Sequence, residues 1–211
     1  MCRRVIHIDN LGWEDQEVAD GAPVTSLVRL PSDVPGRGFT VLVRFPVGWS
    51  RPHSGFYEST EEIIVLEGWL QMSGETLAVG DYGWYPAGYL RSDTSCPEGA
   101  LVLAWFSGPA RWHRASHPAD GFAPEDVIIG RAASPVMEPG PLGGGGARLL
   151  RHGVHASSWV VDLVPPIEAP AGSVVELFAL DEMSWVSVPA GQHLPPASLR
   201  TFCRITRLDQ K

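Results

Sequence analysis

The 211-residue chain is 44% hydrophobic and 19% charged, the balance of a globular protein with a real core and room for one β-barrel domain or two small ones. Its formal charge of −8 excludes electrostatic attraction to nucleic acid or to an anionic membrane surface, so neither is expected as a partner. The 23 glycines and 19 prolines, without low-complexity runs, point to many short strands joined by tight turns.

The N-terminus, Met1-Cys2-Arg3-Arg4 followed by Val5–Asp9, lacks the apolar run of a signal peptide, and nothing reaches transmembrane length. Strand-length apolar runs then follow in order: Val24–Leu30, Phe39–Phe45, Ile63–Leu70, Leu101–Phe106, Trp159–Val164, Val174–Leu180, Trp185–Val188 and Phe202–Ile205. Turn clusters such as Pro35–Gly38, Ser73-Gly74 and Pro86-Ala87-Gly88 separate them. No window sustains a helical period, so the chain is predicted to be all-β. Cys2, Cys96 and Cys203 are odd in number and far apart, which argues against a disulfide framework; a reduced cytoplasmic protein is expected.

The order of features repeats. Phe39–Phe45 with Pro46 has its counterpart in Ser158–Val164 with Pro165, and Glu61–Leu66 is echoed by Val175–Leu180. Trp84–Gly88 is echoed by Ser187–Gly191, and Leu101–Phe106 by Leu199–Ile205. The second copy is about a dozen residues shorter between its glutamate and its Pro-Ala-Gly, a loss the size of one hairpin. The expected domains are residues 1–118 with the ligand site, a linker at 119–147, and a shortened second copy at 148–211 serving as scaffold. Gly143–Gly146 reads as part of that linker, since no helix is predicted after it to complete a phosphate cradle.

The most informative stretch is Gly48–Arg91. Gly48 is followed by five residues, then Ser54, Gly55 and Phe56; four more lead to Glu61 and six more to Gly68. Gly80 is followed by five residues, then Pro86-x-Gly88, two residues, Arg91, three residues and Ser95. These spacings resemble the two motifs of the cupin superfamily, Gly-x5-His-x-His-x3–4-Glu-x6-Gly and Gly-x5-Pro-x-Gly-x2-His-x3-Asn. The wording Glu61–Gly68, Gly80-Asp81-Tyr82 and Pro86-Ala87-Gly88 is most similar to the bicupins around the anti-sigma-factor cupin domain. The resemblance implies antiparallel jelly-roll barrels, two in tandem with the second shortened, an open end that receives a small molecule, and a homodimer.

In that family three histidines and a glutamate hold a transition metal, a donor set suited to first-row divalent ions. Counted this way, Ser54, Phe56 and Arg91 stand at the histidine positions and only Glu61 keeps its type. An always-cationic arginine repels a metal, so no metal and no other cofactor is expected. The alternative is one divalent transition metal on a shifted set of His53, Glu58 and Glu61, which requires a strand irregularity. His193, near the motif-two position of the second copy, and Glu176, read there as the match to Glu61, find no upstream histidine to join them.

Facing Arg91, Glu61 would stay ionised, either as a plain clasp or as part of a ligand site. In the second case Arg91 binds or polarises a substrate oxygen while a carboxylate moves a proton; Glu61, Arg91, Glu62 and Tyr57 form the expected catalytic set. Phe56, Trp69, Trp84, Tyr89 and Trp105 are the expected contacts to a hydrophobic substrate. The leading expectation is a metal-independent cupin enzyme performing isomerisation, cyclisation or elimination, in a setting such as specialised metabolism. Two readings stand beside it: a metal-dependent dioxygenase or hydrolase, and a non-catalytic binding or sensor module.

Overall fold

The computed structural model describes residues 5–34, 36, 38–121, 127–131, 138–139, 142, 146–161, 168–193 and 200–208. Cys2, Gly143–Gly145 and the 162–164 end of one expected strand lie outside them. The described residues contain strands, turns and one short 3-10 turn at Ile8–Asn10. No helix among them is long and apolar enough to cross a membrane.

The chain divides into two compact units: Gly12–Leu30 with Gly36–Ser134, and Met1–Leu11 with Pro31–Pro35 and Pro135–Lys211. The segment read as a linker contributes a strand, Ile128–Gly130, that pairs with Tyr82–Trp84 of the first unit. The residues before Gly12 belong instead with the second half, Ile6 pairing with Trp185.

In the unit holding Gly48–Arg91, every strand pairing is antiparallel. The sheet order is Ile128–Gly130, Tyr82–Tyr85, Glu61–Met72, Ala100–Phe106, Phe39–Phe45, Thr25–Leu30 and Glu14–Gln16. The twelve-residue strand Glu61–Met72 is shared. Its first half pairs with Tyr82–Tyr85 and Ala100–Phe106, and its second half with Glu75–Ala78 and, at Gln71, with Ser95. Thr94–Cys96 in turn pairs with Trp49–Arg51, and Gly55–Tyr57 pairs with Trp112–Arg114.

Alternation decides which side chains face the barrel interior. On Ala100–Phe106 the interior cluster takes Ala100, Val102, Ala104 and Phe106; on Phe39–Phe45 it takes Val41 and Val43. On Glu61–Met72 the inward parity changes along the strand: Ile63 and Val65 join the cluster, and then Leu70 and Met72. The cause is a β-bulge. Val102 pairs with Val65 and Leu101 with Glu67, leaving Leu66 as the extra residue.

The other unit is one seven-stranded antiparallel sheet, ordered Ile6–His7, Ser184–Pro189, Ser173–Ala179, Thr201–Arg207, Ala156–Val161, Gly146–His152 and Glu138–Pro139. Its core includes Trp159, Val175, Leu177, Val186, Val188 and Ile205. The repeat seen in the sequence is real at the level of strands, but its alignment at the glutamate needs correction. Val175, not Glu176, points into this core. Glu176 lies on the opposite face, where Ser32 donates to it at 2.7 Å and Arg204 at 3.3 Å. It therefore corresponds to Glu62, and Val175 holds the place that Glu61 holds in the other unit. His193 forms an isolated bridge with Glu168, outside the named strands.

Candidate functional site

Inside the Gly48–Arg91 unit lies a cavity of about 600 Å³. Its walls are mainly apolar, including Leu27, Val41, Val43, Ile63, Leu70, Met72, Val102 and Phe106, as expected of a barrel lined by alternate strand residues. Glu17, Arg29 and Arg111, all exposed, mark one part of the lining. Arg51, Tyr57, Glu61, Arg91 and Thr94, all buried, mark another.

Arg91 is 2% exposed and sits in an isolated bridge with Gly55: its amide donates to the Gly55 carbonyl at 2.7 Å, and its carbonyl accepts from the Gly55 amide at 3.1 Å. Its Nη1 donates to Glu61 Oε2, forming the pair expected from the sequence. The guanidinium also lies over the Tyr57 ring at 4.6 Å and near the Tyr85 ring at 5.1 Å. Glu61 has no other hydrogen-bond partner among the described residues. Burial, followed by the charge of Glu61, raises the Tyr57 phenol above its ordinary range and keeps it a neutral donor.

Arg51 was not singled out by sequence. It is 6% exposed, with Nη2 donating to Thr94 Oγ1 at 2.7 Å and its guanidinium 3.9 Å from the Trp112 ring centre. Burial, reinforced by the like charge of Arg91, pulls its pKa down to about 10, so it remains cationic at neutral pH. The signal was present in alternation: Trp49 and Arg51 share the buried face of one short strand while Ser50 is exposed, and Thr94 lies opposite Arg51.

The first motif also reads differently in three dimensions. Gly55 and Tyr57 are buried, whereas Ser54 and Phe56 line an outer groove with His53, and Phe56 stacks on His113 at 5.5 Å. The inward register is thus Gly55-x-Tyr57-x3-Glu61, the shorter of the two motif spacings. A β-carbon at Gly55 would collide with the His113 carbonyl and the Trp112 ring, so no side chain fits at that position.

Several expected site residues lie elsewhere. Glu62, Trp84 and Trp105 share the sheet face opposite the cavity; Glu62 pairs across strands with Trp84 and Trp105 and accepts from the Tyr82 hydroxyl at 2.8 Å. Trp69 follows the Leu66 bulge, which reverses its parity and takes it off the inner face. Tyr89 stacks on Tyr85 at 5.3 Å without lining the cavity. Of the expected residues, Glu61, Arg91 and Tyr57 come together; Glu62, Phe56, Trp69, Trp84, Tyr89 and Trp105 do not join them.

No family model and no curated protein sequence matches the chain. Solved structures do. A candidate dioxygenase from Nostoc punctiforme superposes with a TM-score of 0.83 at 18% identity, covering 99% of this chain and 84% of that one. Protein Ylba from E. coli gives 0.60 at 13% identity, covering 98% and 91%. A candidate glyoxylate-induced protein from Pseudomonas aeruginosa gives 0.53 at 10% identity, covering 93% and 84%. The chain has the bicupin fold.

The metal implied by the motif resemblance does not fit the donors of this barrel. At its inward motif positions stand a glycine, a phenol kept neutral by burial, one carboxylate and the guanidinium bonded to that carboxylate. A divalent ion there would displace Arg91 and gain a single anionic ligand. The shifted set does not converge either. His53 and Glu58 are exposed, and Glu58 is engaged by His113 at 2.6 Å and Arg111 at 3.8 Å. Among the described residues no three His, Cys, Asp or Glu side chains group as a metal site.

Proposed function

We propose that this bicupin is an enzyme whose first barrel acts on an apolar small molecule by acid–base chemistry, without a metal. The observation that carries the reading is the Glu61–Arg91 pair set among apolar walls in a cavity of about 600 Å³. Glu61 takes a proton from a carbon next to a carbonyl; the C–H electron pair becomes the C=C bond of the enolate and the C=O π pair moves onto the oxygen. Arg91 and the Tyr57 hydroxyl hold the oxyanion that forms.

Return of the proton from Glu61 to a different carbon completes an isomerisation. Attack of the enolate carbon on a second carbonyl of the same molecule, whose π pair becomes an alkoxide that takes the proton from Glu61, completes a cyclisation. Departure of a β-substituent with its electron pair, taking up that proton, completes an elimination. None of these needs an oxidant. A positioned base contributes about 10²–10⁴ in rate.

The test is proton exchange. A panel of apolar ketones and keto acids in deuterated water, followed by proton NMR, should show protein-dependent loss of the signal at the carbon beside the carbonyl. E61Q should abolish that loss while still binding the same compounds. Exchange that persists in E61Q would end this role for Glu61. Binding throughout the panel with no exchange would favour the sensor reading.

A further inference from the structure

Two guanidinium groups share the buried part of this cavity with one carboxylate. Arg91 has Glu61; Arg51 has the hydroxyls of Thr94 and Tyr57, the Trp112 face and the more distant charge of Glu61 and, among the described residues, no carboxylate within ion-pair distance. The Nε atoms of both arginines are buried without hydrogen-bond partners. A buried charge is ordinarily paired, and an uncompensated one persists where something else requires it. The rest of the lining leans the same way, with Arg29, Arg51 and Arg91 against Glu17 and Glu61 once Arg111 is set against Glu58, in a chain whose formal charge is −8. Low-dielectric walls focus that local positive field on whatever enters.

We infer that Arg51 is the binding residue for a carboxylate, and that the barrel's ligand is an apolar monocarboxylic acid whose charge completes the balance left open by Arg51. The guanidinium of Arg51 is held by Thr94 at 2.7 Å and over the Trp112 ring at 3.9 Å, which restrains it before the ligand arrives. Leu27, Val43, Val102 and Phe106 offer the remainder of the molecule apolar contact. This inference rests on the reading of the cavity as the ligand site, and it divides the work there: Arg51 anchors the carboxylate, while Glu61 and Arg91 face the reacting carbon and oxygen.

Calorimetric titration of the full-length protein with hexanoate and with hexanol tests it. Hexanoate should bind about tenfold or more tightly than hexanol, the difference expected of one charge-assisted pair. R51Q should erase the preference while hexanol binds as before, and R51K should keep part of it. Equal affinity for acid and alcohol in the wild type, or an unchanged preference in R51Q, would overturn the assignment. The wild-type comparison stands by itself should R51Q fail to fold. Arg51-dependent hexanoate binding with no proton exchange across the ketone panel would reject the acid–base reading alone. Exchange that depends on Glu61 without any acid preference would reject only the carboxylate anchor.

Discussion

Glu61 and Arg91 are each tolerable in the barrel because the other is there. Removing Arg91 leaves a buried carboxylate uncompensated, which costs about 3–5 kcal/mol. R91M should therefore lower the urea midpoint strongly, and the double variant E61Q/R91M should recover most of the loss; additive losses would mean that the pair is not coupled. The pair was legible in the sequence because both residues sit at fixed motif spacings. Arg51 was not, because the spacing after Gly48 admits two registers, and only the burial of Gly55 and Tyr57 selects the one used. The aromatic set misled for a related reason: composition counts tryptophans, but the face each one takes depends on strand parity, which puts Trp84 and Trp105 opposite the cavity.

Strand Glu61–Met72 shows how one residue redirects an element. The Leu66 bulge puts Ile63 and Val65 on the same inner surface as Leu70 and Met72, and it removes Trp69 from it. In the run Glu61–Leu70 apolar residues occupy both parities, and Gly68, at φ 67°, is the residue that signals the break. Gly55 is a sharper local requirement. G55A drives a β-carbon into the backbone of the partner strand Trp112–Arg114 and should cost about 1–3 kcal/mol, read by denaturant unfolding. An unchanged midpoint would show that these two strands separate freely.

On strand Thr201–Arg207 and on Thr94–Cys96, burial pushes the thiols of Cys203 and Cys96 from an ordinary 9.0 up to about 12. A raised thiol pKa in the folded state supports the fold fully below about pH 9, and this support is lost as the pH climbs from 9 toward 12, because the unfolded chain ionises first. Each thiol should contribute a slope of about 1.4 kcal/mol per pH unit in that window. Unfolding free energies at about pH 8 and about pH 10 should fall less steeply in C203A than in the wild type. Equal slopes would contradict the burial of that thiol.

At the scale of the molecule, the two-copy order of strands was readable because alternating apolar runs and glycine turns are what a β-barrel needs, whatever its chemistry. The chemistry lies in the residues by which the copies differ. One interior carries Glu61, Arg51 and Arg91; the other carries Val175 at the corresponding glutamate position within an apolar core. The acidic surface and the arginine-lined cavity are likewise separate statements, and net charge alone revealed only the first.

The central claim is that Glu61, paired with Arg91, moves protons in a barrel that does not use a metal. Its most direct measurement is deuterium exchange into an apolar ketone by wild-type protein before and after dialysis against a strong chelator, with metal content quantified in both samples. The Glu61-dependent exchange rate should be the same in each. A rate that falls with the metal content and returns when Fe, Mn, Zn or Ni is added back would contradict it.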